Sequence, residues 1–557
     1  MNESLLPGFI IAIPILGATL PLALGLFRQQ VGWAVAAVVL ALETAIATVL
    51  AYFIYVDGQR VVHALGGENY GRREGAAGGY ESESFAVGIE LVADALSGAM
   101  ILLIATVALL VLAFSRRSGP RGNAFYSGYL LLTGGLMGVA MTGDLFNLFV
   151  FLEIVGLATY AMVASGRHAS AAVAALKYLI IGTAGASLYL VGVGYLYVQT
   201  GTLNMVDVSN SLAGNPGWID GPLYGDPLTL GAFAFIAVGL ATKAAIYPLH
   251  TWQPDAYAES PDSVTIYISA LVSTLSAYAL ARITWNVFTP EFFAATANAE
   301  WMLNGLLVLA GLSVLVGSAL AAMQRRVKRM FAYSSVAQFG LIVIAIGVAV
   351  HPAAGETATQ FAVYGVVIHL LAHAIIKGGL FASAGAFRAG NHATTVSDYA
   401  GLAKRRPFLS AAVAVLGFGI IGVPPTVGFI GKWYIGVGAV QAGLWAVVFV
   451  IFASTLLTLV YIARILEKLY FDYQPEDAPP HAEASDAIAT DGGNADETTQ
   501  SGFLGTTPSL SVGMLAVVAI ATLLSVVLGF MGSELTDAVQ PIADAVIENS
   551  PEVGSND

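Results

Sequence analysis

The stretch GLATKAAIYPLHTWQPDAYAESPDSV, residues 239–264, continues an apolar run that begins at Leu228, yet it sets Lys243 inside that run and Pro248 five residues later. A run of about 20 apolar residues is long enough to cross a bilayer. Every backbone group in lipid has to be paired within the segment, so such a run is a helix. Proline removes a donor and clashes with the preceding turn, so this helix is expected to break or kink beside its lysine. A lysine in mid-span costs roughly 2.5–3.5 kcal/mol on insertion scales, which makes packing a poor reason for keeping one. The stretch therefore predicts a membrane span with a functional interruption.

The rest of the chain agrees with that reading. Of 557 residues, 57% are hydrophobic and 11% charged, against about 25% charged in soluble proteins, and the mean hydropathy is +0.76. Fourteen apolar runs are long enough to span, over 5–27, 31–56, 88–114, 122–142, 144–165, 170–199, 228–250, 263–288, 301–323, 330–350, 359–387, 408–436, 441–470 and 508–531. The fold class expected is an all-α polytopic membrane protein of about 14 transmembrane helices, with breaks in spans 7 and 12. The first run has no basic leader and no small-residue cleavage site, so it reads as a retained helix. With the N-terminus outside, fifteen Lys and Arg fall in inner loops and only Arg60, Arg72 and Arg73 in outer loops, the asymmetry expected of an inner-membrane topology with both termini outside.

This divides the chain into N-terminal helices and an acidic outer loop at 57–87 (1–121), a first five-helix repeat (122–289), a second (290–470), an acidic cytoplasmic linker (471–507), and a last helix with an acidic tail (508–557). The linker holds eight acids and no base, and Arg outnumbers Lys 16 to 7. This suits a high-salt cytoplasm or an ordinary acidic linker. Nucleic acid is not a fitting partner. With no Cys, the chain supplies no thiolate to a cluster or disulfide. It has no GxxxxGK[ST] and no strand-borne GxGxxG, so neither ATP hydrolysis nor nicotinamide binding is indicated. No metal site and no cofactor are expected.

The charges left inside the spans carry the chemistry. Lys177, Lys243, Arg282, Lys377 and Lys432 are intramembrane bases, and Glu43 and Glu153 the most deeply placed acids. A Glu–Lys pair of changing spacing can take up and release a proton; the plainer alternative is a static ion pair, which is the reading for Glu43. Snorkelling to an interface would explain Arg282 and Lys177. In GVPPTVGFIGKW, residues 422–433, Pro424 and Pro425 stand about two turns before Lys432, so spans 7 and 12 resemble the paired broken helices of inverted-repeat transporters. That likeness rests on hydropathy and the Pro/Lys pairs, since no residue-level repeat is visible. In VIHLLAHAIIKGGLFASAG, residues 367–385, His369, His373 and Lys377 recur at i, i+4, about 6 Å apart on one helix face. A titratable row of this kind suits proton relay; the alternative is that the histidines bond a neighbouring helix. Asp255, Glu259 and Asp262 follow span 7 and serve either to gather protons or to cap and hydrate a loop.

At these residues the sequence resembles the proton-conducting antiporter-like subunits shared by Mrp-type sodium/proton antiporters and respiratory complex I. The likeness runs from about residue 88 to 436, through DALS (94–97), TGDLFNLFVFLE (142–153), LKY (176–178), KAAIYPLHTWQPDA (243–256), KRMFAYSSVAQFG (328–340), HAIIKGGLF (373–381) and PPTVGFIGKW (424–433). The TGDLFNLFVFLE segment and the lysine of GFIGKW look most like the D-type component of Mrp antiporters, with the N-type component of complex I as competitor. The resemblance implies that Glu153 and Lys243 pair at the entry half-channel, that His373 lies on a central hydrophilic axis and that Lys432 is the terminal lysine. Where the family often has a lysine in span 8, VSTLSAYALAR (272–282) has Thr274. Ser273, Thr274 and Ser276 then read as a water wire, or Lys177 or Lys377 as substitutes.

The implied function is the proton-conducting subunit of a multisubunit Na+/H+ antiporter in the cell membrane, with other membrane subunits, protons, Na+ and the lipid bilayer as partners. Alternatives are a proton-pumping subunit of a complex I-like oxidoreductase without its own redox centre, and a transport-inactive scaffold.

Overall fold

The computed structural model describes residues 3–28, 30–65, 72–74, 80–82, 88–120, 122–215, 221–472 and 510–548. Among the described residues, twelve helices are long and apolar enough to cross a membrane, and two more spans are each divided in two. In chain order they are α1 (Glu3–Gly25), α2 (Gly32–Tyr55), α3 (Ala95–Ser118), α4 (Asn123–Met141), α5 (Leu145–Ala164), α6 (Ala169–Thr200), α7a (Pro227–Lys243) with α7b (Trp252–Glu259), α8 (Asp262–Ala295), α9 (Ala297–Met323), α10 (Val327–Ala349), α11 (Glu356–Asn391), α12a (Pro407–Ile421) with α12b (Val427–Gln441), α13 (Trp445–Tyr470) and α14 (Val512–Phe530). The chain is a polytopic helical membrane protein, broken at spans 7 and 12 as the Pro/Lys pairs predict.

Two five-helix units show the same succession of neighbours. In α4–α8, α4 packs on α5, α5 on α6 and α6 on the broken α7; in α9–α13, α9 packs on α10, α10 on α11 and α11 on the broken α12. Because five is odd, the second unit enters the membrane from the opposite side, which makes the repeats inverted. Helices α8, α10 and α11 are buried along almost their whole length, whereas α2, α13 and α14 turn most side chains outward.

The α2–α3 connection departs from the simple loop expected. Its segments β1 (Val61–Leu65) and β4 (Ile89–Ala93) pair antiparallel, Val61 opposite Ala93, and β2 (Arg72–Glu74) pairs with β3 (Tyr80–Ser82). The third span therefore starts at Ala95 rather than 88. Asp94 fixes that start: its carboxylate accepts from the Ser97 N–H at 2.9 Å while the Asp94 N–H donates to Ser97 Oγ at 2.7 Å, a reciprocal cap. Asp94 also meets Arg282 of α8 at 2.5 Å. Arg282 is thus buried in an ion pair and does not snorkel.

Past α14, where an acidic tail was expected, Gly532–Glu548 forms α15. Val539, Ile542, Ala543 and Val546 are buried and Glu534, Asp537, Asp544 and Glu548 exposed, the two-faced pattern of a helix lying on a surface. It rests on α11 and α3. Gln540 Oε1 accepts from Tyr364 OH and, at 2.9 Å, from Gln360 Nε2 of α11. Residues 473–509, which take in nearly all of the acidic linker at 471–507, lie outside the described residues.

Where α12b doubles back on α12a, a Cβ on Gly428 would run into the Gly419 carbonyl oxygen, whereas Gly436 on the same helix faces open space. Gly428→Val is expected to lower the unfolding midpoint of the purified protein, with overpacking costing about 1–3 kcal/mol. Gly436→Val should leave the midpoint unchanged. Equal midpoints in a thermal size-exclusion assay would contradict this packing.

Candidate functional site

Helix α7a stops at Lys243, its last residue. Ala245 then takes a left-handed turn, φ 60°, and a short turn over Leu249–Thr251 leads into α7b. The break needs new donors and acceptors. The Tyr247 N–H donates to Ser313 Oγ of α9 at 3.1 Å, and Trp252 Nε1–H donates to the Thr242 carbonyl at 3.0 Å. Lys243 is buried, and its Nζ lies 3.0 Å from Glu153 Oε1 and 3.4 Å from the Leu152 carbonyl oxygen. The sequence-predicted acid and base are therefore in contact. Pro248, which follows the turn, belongs to the same interruption.

Lys177 lies apart from this pair, in a belt of ion pairs at the far end of α7b. Asp255 holds Lys177 at 2.7 Å and Arg329 at 2.8 Å. Glu259 holds Arg326 at 2.6 Å and accepts from Ser170 Oγ at 2.7 Å. Asp262 holds Arg388 at 2.7 Å and Lys328 at 3.3 Å. The three acids read as loop or proton-gathering groups thus tie α6, α7b and the start of α8 in the first repeat to α10 and α11 of the second.

Between the repeats, α8 widens into a five-residue π turn at Ile268–Val272, an insertion that local sequence patterns do not announce and that often marks functional sites. Just past it, Ser273 joins Gln253 and Tyr257 of α7b: Gln253 Nε2 donates to Ser273 Oγ at 3.0 Å and to Tyr257 OH at 3.1 Å, and the two hydroxyls are 3.2 Å apart. Thr274 and Ser276 donate instead to carbonyls of their own helix, Ala270 at 2.8 Å and Val272 at 3.1 Å. Of the three hydroxyl residues, only Ser273 enters the polar cluster.

The row on α11 is buried throughout. Lys377 Nζ donates to the Phe331 carbonyl at 2.8 Å. The His373 ring stands edge-on to Phe339, 4.4 Å between centroids. His369 Nε2 is 3.0 Å from Gln338 Oε1 of α10. On the other side, a Cβ at Gly431 would come within 2.9 Å of His369 Nδ1, so α12b passes His369 with no room for a side chain, one residue before Lys432. Lys432 Nζ donates to the Ile420 and Ile421 carbonyls, at 2.7 and 3.1 Å. These are the last carbonyls of α12a before Gly422 turns left-handed, φ 92°. The lysine on one half of the broken helix thus caps the other, at the end where the helix dipole is negative. Pro424 and Pro425 form the loop that folds the two halves together.

Several buried polar atoms along this line have no protein partner: both nitrogens of His373, His369 Nδ1, Gln338 Nε2, Gln253 Oε1 and His250 Nδ1. Buried polar atoms of this kind are satisfied by water, and titratable groups joined through water are what a proton path requires. Gln253, Tyr257, Gln338 and His250 are the members that a search for charged residues misses. All four sit in motifs quoted above, and His250 and Gln338 are polar residues inside apolar runs, which was the available signal. Glu43 is no static ion pair: it is fully buried on α2, with neither carboxyl oxygen bonded.

This fold and this line of buried Lys, Glu and His groups define an antiporter-like, ion-transporting membrane subunit. Residues 142–458 match the family described as NADH:quinone oxidoreductase/Mrp antiporter, TM, and the chain belongs to that family. It is 43% identical over 394 residues to the N subunit of NADH-quinone oxidoreductase from Desulforudis audaxviator (strain MP104C), covering 70% of this chain and 74% of that one. It is 31% identical over 399 residues to the D component of the Na(+)/H(+) antiporter from Bacillus subtilis (strain 168), covering 71% and 76%. Among solved structures, a chain of the Mrp complex from Dietzia sp. DQ12-45-1b superposes with a TM-score of 0.81 at 25% identity, over 98% of both chains.

Lys432→Met removes the donor from two buried carbonyls and is expected to destabilise the protein by about 1–3 kcal/mol. Lys432→Arg, which keeps donors at that point, should recover most of the loss. A denaturation midpoint unmoved by Lys432→Met would exclude the capping role.

Proposed function

We propose that this chain is the proton-conducting subunit of a multisubunit Na+/H+ antiporter, seated in the cell membrane with both termini outside. The observation that carries the reading is the buried Lys243–Glu153 contact at the break of α7. Protonating Glu153 removes the charge that holds the Lys243 ammonium in place, so arrival of one proton frees the next group to move or discharge. From there the path runs by Gln253, Tyr257 and Ser273 to Lys377, His373 and His369, and ends at Lys432. At the station where the family often carries a lysine, Thr274 is turned into its own helix. Neutral hydrogen-bonding groups and water therefore connect the two halves, and Lys377 is the charged group of the centre. Lys177 serves the ion-pair belt rather than the path.

The likeness to the Mrp complex chain over nearly the full length supports the antiporter reading. The 43% identity to an oxidoreductase N subunit supports a second, in which the same path serves an electron-driven pump whose redox centres sit on partner chains.

Lys243→Ala is expected to reduce proton flux in vesicles carrying the whole complex to background while the complex still assembles. Normal flux in that variant would remove Lys243 from the path and favour a transport-inactive scaffold. Purification of the complex in mild detergent separates the two driven readings. Small membrane partners without flavin or iron, with sodium-dependent proton flux, fit the antiporter; co-purifying flavin and iron fit the electron-driven pump.

A further inference from the structure

Away from the charged line, α3, α11, α14 and α15 line a half-open cavity of about 450 Å³, within the size range of sites for small apolar ligands. Its walls are apolar, with Leu103 and Val107 on α3, Leu371 and Ala374 on α11, and Leu524 on α14. Along α3 the lining runs from Ala99 to Val111, about 18 Å at the rise of a helix, so the space is long and narrow. At its α15 end it meets a second cavity of about 310 Å³, and Tyr55, Ala538 and Ile542 line both. The second cavity is the more polar of the two. Gln59, Arg60, Asn286 and Asp537 line it, together with the Asp94–Arg282 pair. That pair neutralises itself, whereas Arg60 makes no hydrogen bond or ion pair among the described residues.

We infer that the joined cavities are a binding site for one phospholipid molecule. An acyl chain occupies the apolar space, and the phosphate meets the Arg60 guanidinium. A donor of the head group, hydroxyl or amine, reaches the Asp537 carboxylate. An apolar channel that ends at a cation and a carboxylate matches an amphiphile in a way that neither a compact solute nor an apolar helix would. The amphipathic α15, which bridges the two cavities, then acts as the rim that holds the lipid at the membrane surface. The site is separate from the proton path and independent of which driven reading holds.

The test is photolabelling of the intact complex, in vesicles containing phosphatidylglycerol whose acyl chain carries a diazirine. Labelled peptides are expected within 99–111 and 367–379. Ala538→Trp, at the exposed neck between the cavities, should cut labelling there at least fivefold, and Ala99→Phe, inside the apolar wall, should do the same if the first variant assembles poorly. Arg60→Glu should cut it at least threefold, with Arg60→Lys near wild type and excess inorganic phosphate without effect. Labelling spread over α2 and α13 and indifferent to both cavity-filling variants would overturn the site. Indifference to Arg60→Glu, competition by free phosphate, or cross-linking of these peptides to another polypeptide would overturn the lipid assignment.

Discussion

In the hydrocarbon of a bilayer a backbone carbonyl or amide without a partner costs several kcal/mol, and this chain leaves the helix in mid-span twice. Everything distinctive about the protein follows from how those two interruptions are satisfied. At α7 the freed groups are taken up by Ser313 and by the Trp252 indole, which leaves the lysine at the break to seek a carboxylate on α5. At α12 the lysine itself is the donor, and its ammonium closes the open end of α12a. Both breaks place a lysine deep in the membrane because a cation is a natural complement to the C-terminal end of a half-helix.

The two lysines are compensated differently, and the difference has a direction. Lys243 is held by Glu153, whose charge can be removed by a proton. Lys432 is held by carbonyls, whose dipoles are fixed. Protonation from outside the pair therefore releases Lys243, whereas Lys432 changes state only by giving up or gaining its own proton. The repeats are alike in fold but not in chemistry: the lysine at one break is paired with a carboxylate and the lysine at the other with backbone carbonyls.

Much of this was legible in the sequence, because lipid simplifies the reading. Each of the fourteen apolar runs contains a helix or a broken pair of helices, and the Pro/Lys pairs marked the breaks. Lys243 and Glu153 stood out as charges inside apolar runs, and it was the family resemblance that implied they pair. What escaped were features set by three-dimensional packing. The π turn in α8 and the Gln253–Tyr257–Ser273 cluster depend on how α7b lies against α8, and neither leaves a periodic trace. Arg282 read as a snorkelling residue because its partner, Asp94, is far away in sequence. The helix at 532–548 was hidden by its acids, since its apolar stripe is too narrow to register as a span.

The belt formed by Asp255, Glu259 and Asp262 bears on how one such path can serve different engines. Each acid holds at least one base of the other repeat: Asp255 and Glu259 bind α7b to Arg329 and Arg326 at the start of α10, Asp262 binds the start of α8 to α10 and α11, and the other end of α7b is the interruption beside Lys243. Through these pairs α10 is linked to the break by one short, ion-paired segment. Coupling of this kind needs an element with two arrangements, and the hinge between α7a and α7b is the place where the chain provides one. Nothing in that linkage is specific to one kind of neighbouring subunit.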